Sequence, residues 1–476
     1  MDYLELLDSY KDEILEKIKE SVAFPSVGSQ AVQTVEGEVL PYGRDVHDAL
    51  VHMLNLGKEL GFETFNADNY GGHIQFSAED EKAETLGISG HLDVVPVAEG
   101  WKTEPFDMVE KDGCIFGRGT SDDKGPVVAC LYGMKALKES GLKPKKNIRL
   151  ILGLDEETGS AGMAEYLERA GEPDFGFTPD GDFPLVNGEM GNMTFDLAQK
   201  LTKQTDKESL RLTKLEAGTA PNAVPGLCRA SLAGDSKMYE AIKGRAEQYA
   251  VETGYDLKAK KQGTALVLEA TGVPAHGAHP ELGLNAISIM MGFLERLQFG
   301  NEEVNDFIAY YNEYIGFNLH GEACGCELED EKSGKLIFNV GMASINEDFA
   351  SVTVNIRYPV SETSDKVFEG IEKTLEKTLI GIVKKSDDKP IYMDTDSELV
   401  QKLIGAYRDE TGDAEAEPFV IGGGTYAKHI ANTLAFGAMF PGEEDTMHQN
   451  DENKSIELLM KAARIYARAI HDICFE

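Results

Sequence analysis

Three times between residues 86 and 182 a short apolar run ends in a histidine or a group of carboxylates. Leu86-Gly87-Ile88-Ser89 leads into Gly90-His91-Leu92-Asp93, Ile148–Leu154 into Asp155-Glu156-Glu157, and Phe175–Thr178 into Pro179-Asp180-Gly181-Asp182. Helical segments, at Gly125–Ser140 and Met163–Ala170, alternate with these runs. Apolar strands separated by helices predict a mostly parallel sheet covered on both faces. Open sheets of that kind bind their ligands beyond the carboxyl ends of the strands, which is where these polar groups fall. The fold class expected is therefore α/β, a mostly parallel sheet sandwiched by helices.

The flanking sequence fits that layout. Leu4, Leu7, Ile14, Leu15, Ile18 and Val22 recur at helical spacing before Pro25, which predicts one amphipathic N-terminal helix. A second helix is expected over Asp45–Leu60 with Gly61 as its cap. The rhythm then changes. Residues 191–215 and 226–233 alternate polar and apolar as half-buried antiparallel strands do, and a helix follows near Lys237–Glu252. A second α+β group holds strands near Lys335–Ala343 and Ser351–Tyr358 and a helix near Asp365–Leu379. After Lys389-Pro390 the α/β pattern resumes with a helix at Ser397–Asp409, a strand at Leu434–Phe440 and a long helix near Ser455–Cys474. A chain of 476 residues is too long for one core. The expected organisation is a catalytic domain built from 1–188 and 388–476, interrupted by a large α+β lid domain, 189–387, in two subdomains.

Charge and composition narrow the partners. A formal net charge of −37 repels phosphate backbones and anionic lipid surfaces, so neither nucleic acid nor membrane is an expected partner. The N-terminus lacks the basic and apolar regions of a signal peptide, and no run approaches the roughly 20 apolar residues of a membrane span. The expected location is cytoplasmic. Six scattered cysteines form no paired framework, so reduced, mostly buried thiols are expected.

The chemistry lies in the strand-end groups. His91 and Asp93 are two residues apart, which on an extended chain puts both side chains on one face. His91 can then ligate a metal while Asp93 holds its imidazole. Gly117-Arg118-Gly119-Thr120-Ser121-Asp122-Asp123-Lys124-Gly125 is a glycine-rich turn entering a helix, and a carboxylate presented there can bridge two cations. Met447-His448-Gln449 follows a further strand. Each feature alone is more often structural than functional. Their convergence on one sheet edge carries the argument.

In order and rough spacing this set resembles the co-catalytic dinuclear zinc peptidase and aminoacylase family, the relatives of carnosinase and glutamate carboxypeptidase, with the bacterial dipeptidase V (PepV) type as the nearest pattern. The matching segments are Ser89–Pro96, Gly117–Gly125, Asp155–Ser160, Thr178-Pro179-Asp180, Gly423–Ala427 and His448-Gln449. The resemblance implies that His91 and Asp180 bind one zinc, that Glu157 and His448 bind the other, and that Asp122 bridges them, next to a cis peptide bond to Asp123. It further implies that Asp93 orients His91 and that Glu156 is the general base. Two Zn²⁺ are balanced by three carboxylates and a hydroxide, and manganese or cobalt could replace zinc.

Within the insert, Val273–Pro280 resembles the family segment whose histidine, His276 here, helps hold the substrate carbonyl and its oxyanion. Asn222 resembles an oxyanion donor, and Arg357 a two-pronged clamp for a substrate carboxylate. The backbone of Gly423 and Gly424 could hold a carboxylate too. A phosphate-binding loop is excluded, because no Gly-Lys-Ser/Thr ending follows. By analogy a large lid implies a monomer that encloses a small peptide. The expected function is a metal-dependent dipeptidase requiring a free C-terminal carboxylate. An N-acyl or N-succinyl amino-acid amidohydrolase, or a metal-stabilised peptide-binding protein without turnover, would carry the same metal motifs.

Overall fold

A computed structural model describes residues 2–35, 37–204, 206 and 208–476. The chain forms two compact units. The first comprises Met1–Gly188, Tyr392–Val420 and Gly424–Glu476; the second comprises Glu189–Ile391 and Ile421–Gly423.

The first unit is built on a twisted sheet in which the strands Glu63–Asn66, Gly72–Phe76, Asn147–Gly153, Thr85–His91, Phe175–Thr178 and Thr433–Ala435 follow one another. The last four run parallel, with Thr85 opposite Asn147 and His91 opposite Gly153, and the first two pair antiparallel. Alternation along the strands sorts the side chains onto two faces. Leu86, Ile88, Ile148, Leu150, Leu152 and Phe177 join the main core with the helices Lys124–Glu139 and Ile456–Cys474. Ile151 points the other way, into a smaller core with Met163 and Tyr166 of helix Ala161–Ala170 and with Tyr426. Helix Lys124–Glu139 is buried at every position from Lys124 to Leu137, which is why its sequence lacks a polar stripe. Each fully buried Leu or Val in it contributes about 1.5–3 kcal/mol.

The N-terminal segment differs from the single helix expected. It is two helices, Tyr3–Ser9 and Lys11–Val22, broken at Tyr10. The Tyr10 N–H donates to Leu7 O, a tight turn, and the Tyr10 hydroxyl donates to Glu139. The apolar positions that set the periodicity remain buried on both sides of the break. The strand expected over Leu434–Phe440 is also shorter, ending at Ala435. Gly437 has φ 79°, which interrupts the regular strand, and pairing resumes only as an isolated parallel bridge of Met439 with Asp182.

The second unit holds one antiparallel sheet of eight strands rather than two separate α+β groups. Their order is Asp256–Gln262, Ala265–Thr271, Leu227–Ala233, Arg211–Ala217, Ile337–Asn346, Phe349–Tyr358, Gly191–Lys200 and Gly381–Asp388. The join is the pairing of Lys214–Ala217 with Ala343–Asn346, which satisfies backbone groups that two smaller sheets would leave as open edges. One face packs on helices Ser236–Thr253, Ala286–Leu294 and Ser364–Leu375. All six cysteines are free thiols, and among the described residues no helix is long and apolar enough to cross a membrane.

Candidate metal centre

The parallel strands of the first unit end together, and their loops bring five side chains into two overlapping triads. His91, Asp122 and Asp180 form one; Asp122, Glu157 and His448 form the other, with ligand atoms in each triad within 4.8 Å of one another. His91 is the last residue of its strand and fully buried. Its Nδ1 lies 2.9 Å from the Asp93 carbonyl. That contact assigns the ring proton to Nδ1 and leaves Nε2 as the ligand atom. His91 Nε2 lies 2.9 Å from Asp122 Oδ1 and 3.7 Å from Asp180 Oδ2. His448 Nε2 lies 2.9 Å from Asp122 Oδ2 and 3.1 Å from Glu157 Oε1. The two oxygens of Asp122 therefore face different imidazoles, the geometry of a carboxylate shared by two cations.

Local structure explains how each group is presented. Asp122 precedes helix Lys124–Glu139 in a turn with a cis Asp122–Asp123 bond. Asp123 Oδ2 accepts from the His91 N–H at 3.1 Å. A Cβ at residue 90 would lie 2.5 Å from that oxygen and 2.3 Å from Val127 Cγ2, so only glycine fits between His91 and Ser89. Glu156 and Glu157 sit in a single 3-10 turn after strand Asn147–Gly153. Asp93 steadies this turn. Its Oδ1 accepts from the Glu156 N–H at 3.3 Å and its Oδ2 from the Glu157 N–H at 3.1 Å. The Asp93 carboxylate thus binds the Glu156 turn more closely than the imidazole it was expected to orient, since Oδ1 is 3.5 Å from His91 Nδ1. His448 has φ 61° and is half-exposed.

Tyr426 belongs to a matched segment but had no role in the sequence reading. It is fully buried, its ring meets His91 edge-on at 6.3 Å, and its hydroxyl reaches Asp155 at 3.5 Å. A side chain at Gly153 would collide with it at 2.3 Å. The paired glycine and tyrosine are a signal visible in sequence only once the strand and the distant loop are known to touch.

The electrostatics suit cations. Burial and the Asp122 charge push Asp180 up to about 7. Burial and Asp180 push Glu156 well above the usual carboxylate range. Burial opposes protonation of His91, but Asp122 and Asp93 outweigh it and raise the imidazole. Asp122 and Glu157 hold His448 protonated, up to about 11. Carboxylates repelling one another while their imidazoles hold protons make a site whose charge a divalent cation would balance better than protons do. At pH 7 His448 carries a proton that a metal must displace. Apparent zinc affinity is therefore expected to rise with pH between 6 and 8, about tenfold per unit for each proton released. Calorimetry in buffers of different ionisation enthalpy measures this, and pH-independent affinity without proton release would contradict the assignment.

In the second unit, Ala223–Val224 pairs with Ala275–His276 as a two-stranded ribbon. Asn222 precedes it and accepts the Gly277 N–H on its carbonyl at 2.7 Å. His276 Nδ1 accepts from the Ala278 N–H at 3.2 Å, which puts the proton of the neutral ring on Nε2, the donor an oxyanion requires. Arg357 is 3% exposed, its Nε lacks a hydrogen-bond partner, and burial, against Asp388, lowers it to about 10. A Cβ at Gly422 would lie 3.8 Å from Arg357 Cγ and 3.3 Å from Ala278 Cβ. Gly423 ends this unit's short segment, and Gly424 belongs to the first unit. The run after Gly424 is a four-residue 3-10 turn, Tyr426–His429, capped by Thr425. So short a turn has little macrodipole to offer an anion.

Comparison with known proteins identifies the family of the chain. The sequence pattern of "Peptidase family M20/M25/M40" matches residues 87–472. A protein of Staphylococcus epidermidis named "Putative dipeptidase" is 33% identical over 469 residues, 98% of each chain. A similarly named protein of Staphylococcus haemolyticus is 32% identical over 474 residues, 99% of each. Among solved structures, human carnosine dipeptidase 1 aligns over 98% of this chain and 97% of its own, with a TM-score of 0.55 and 17% identity. That likeness speaks to the fold alone.

Proposed function

The chain belongs to peptidase family M20/M25/M40, and from that membership we propose that it is a two-metal dipeptidase, hydrolysing the amide bond of dipeptides that carry a free C-terminal carboxylate. The observation that carries the proposal is Asp122, whose two oxygens lie 2.9 Å from different histidines. His91, Asp180 and Asp122 would hold one divalent cation, and Glu157, His448 and Asp122 a second. The nitrogen and oxygen donor set, without thiolate, suits catalytic zinc, with manganese or cobalt as substitutes. Bound there, the metals would supply the Lewis acidity that lowers the pKa of a water and polarises an amide carbonyl.

The protein's own side chains do the rest. Glu156 belongs to neither triad, so its carboxylate remains to take a proton from water and return it to the leaving amine nitrogen. Asp93 holds the Glu156 turn through two N–H groups. His276 Nε2–H and Asn222 would donate to the substrate carbonyl as it gains charge. Arg357, buried with an unpartnered Nε, would pair with the substrate's C-terminal carboxylate. In this reading the enzyme works as a monomer in the cytoplasm.

The test is metal content together with activity on a panel of dipeptides, acetylated and succinylated amino acids. About two zinc equivalents are expected, with activity on free dipeptides that is lost on chelation and restored by metal. Preference for acylated amino acids would favour an amidohydrolase instead, and full activity without metal would refute the proposal. Arg357→Ala is expected to raise KM for dipeptides by about 10- to 100-fold, the worth of a charge-assisted pair. The loss should vanish for C-terminally amidated dipeptides, and an equal loss on both would remove Arg357 from carboxylate binding.

A further inference from the structure

Glu452 is fully buried in the first unit, four residues after His448. Its Oε2 accepts from Arg118 Nη1 at 2.7 Å. Its Oε1 accepts from the backbone N–H of Gly119 at 3.1 Å, Ser121 at 2.9 Å and Asp122 at 3.2 Å. The grip extends to the main chain, where the Gly117 N–H donates to Glu452 O at 3.0 Å and Asn453–Ser455 pairs with Cys114–Phe116. One carboxylate thus gathers the donors of the turn that ends in Asp122. Glu452 shares a short loop with His448, whose Nε2 faces Asp122 Oδ2.

We propose that Glu452 is a positioning residue that fixes the bridging carboxylate of Asp122 and ties it to His448. This rests on the two-metal reading above. Neither candidate triad contains Glu452, so its effect passes through the backbone of the ligand it holds. Left unheld, the 118–122 turn would keep four buried donors without an acceptor. Asp122 could then swing toward one histidine and no longer serve both. Partners that orient a ligand in this way typically govern metal affinity by about 10- to 100-fold.

The experiment is a competition titration of zinc against a chelating dye on metal-stripped wild type, Glu452→Gln and Glu452→Asp. Glu410→Gln is the control, because Glu410 is also a buried carboxylate, bonded to Arg464 and Arg468, but outside the metal triads. Glutamine keeps the shape yet turns an NH₂ group toward donors, and aspartate keeps the charge but withdraws it by one methylene. Both Glu452 variants are expected to bind zinc about 10- to 100-fold more weakly, with one equivalent lost before the other. Glu410→Gln is expected to lower melting temperature alone. Unchanged affinity in the Glu452 variants, a drop matched by Glu410→Gln, or failure of both Glu452 variants to fold while the control folds would overturn the proposal in favour of a purely structural ion pair. Failure of wild type to bind zinc would instead refute the metal centre itself.

Discussion

Asp122→Ala is expected, on the two-metal proposal, to abolish binding of both cations, and peptidase activity with it, while the fold remains. Each candidate triad keeps only two of its three members without Asp122. The shared oxygens 2.9 Å from His91 Nε2 and from His448 Nε2 would both be gone. Losing several kcal/mol of Lewis-acid stabilisation corresponds to at least about 10³-fold in rate. The backbone N–H of residue 122 would still donate to Glu452, so far-UV circular dichroism should match wild type. Elemental analysis of purified protein measures the metals. Retention of two equivalents by the variant would show that Asp122 does not bridge them. His448→Ala should be milder, because it leaves the His91, Asp122 and Asp180 triad whole, and one equivalent is expected to remain.

The second large effect separates catalysis from metal binding. Glu156→Ala is expected to leave metal content unchanged and to lower kcat by about 10²–10⁴-fold, the range of a lost general base. KM should change little, because the carboxylate acts on the water proton rather than on the bound peptide. The Asp93 contact to the residue 156 N–H is to backbone and survives the substitution, so the turn that carries Glu157 stays in place. A variant within tenfold of wild type would remove Glu156 from proton transfer. Wild type and variant equally inert toward every peptide would point to binding without turnover.

These outcomes test groups whose legibility in the sequence differed for physical reasons. His91, Asp180 and Glu156-Glu157 could be read because a strand of alternating side chains and a parallel sheet oblige the chain to deliver its polar ends to one edge. A helix was legible near Gly125–Ser140, but its burial from Lys124 to Leu137 is a finding of the structure. What Asp93 does was only half readable. Period-two spacing put it beside His91, but its carboxylate spends its hydrogen bonds on the Glu156 and Glu157 N–H groups, a contact spanning more than 60 residues. Tyr426 and Glu452 were silent, since a buried tyrosine or glutamate has no signature distinct from a surface one until its neighbours are known.

The sequence by itself determined the α/β class and the polar strand ends, and it marked the stretch from about residue 189 to 387 as different in character from its flanks. These follow from local alternation of apolar and polar residues, which each segment carries independently of the rest. Tertiary structure alone decided that Asp122 turns one oxygen to His91 and the other to His448, and that the two α+β groups of the second unit share one sheet through Lys214–Ala217 and Ala343–Asn346. It alone placed the Glu452 carboxylate against the N–H groups of the 119–122 turn. Apart from that of Asp122 with His91, 31 residues away, such contacts join residues more than a hundred positions apart. Their energies depend on burial and on the angles at which loops return, and a linear chain carries no record of either.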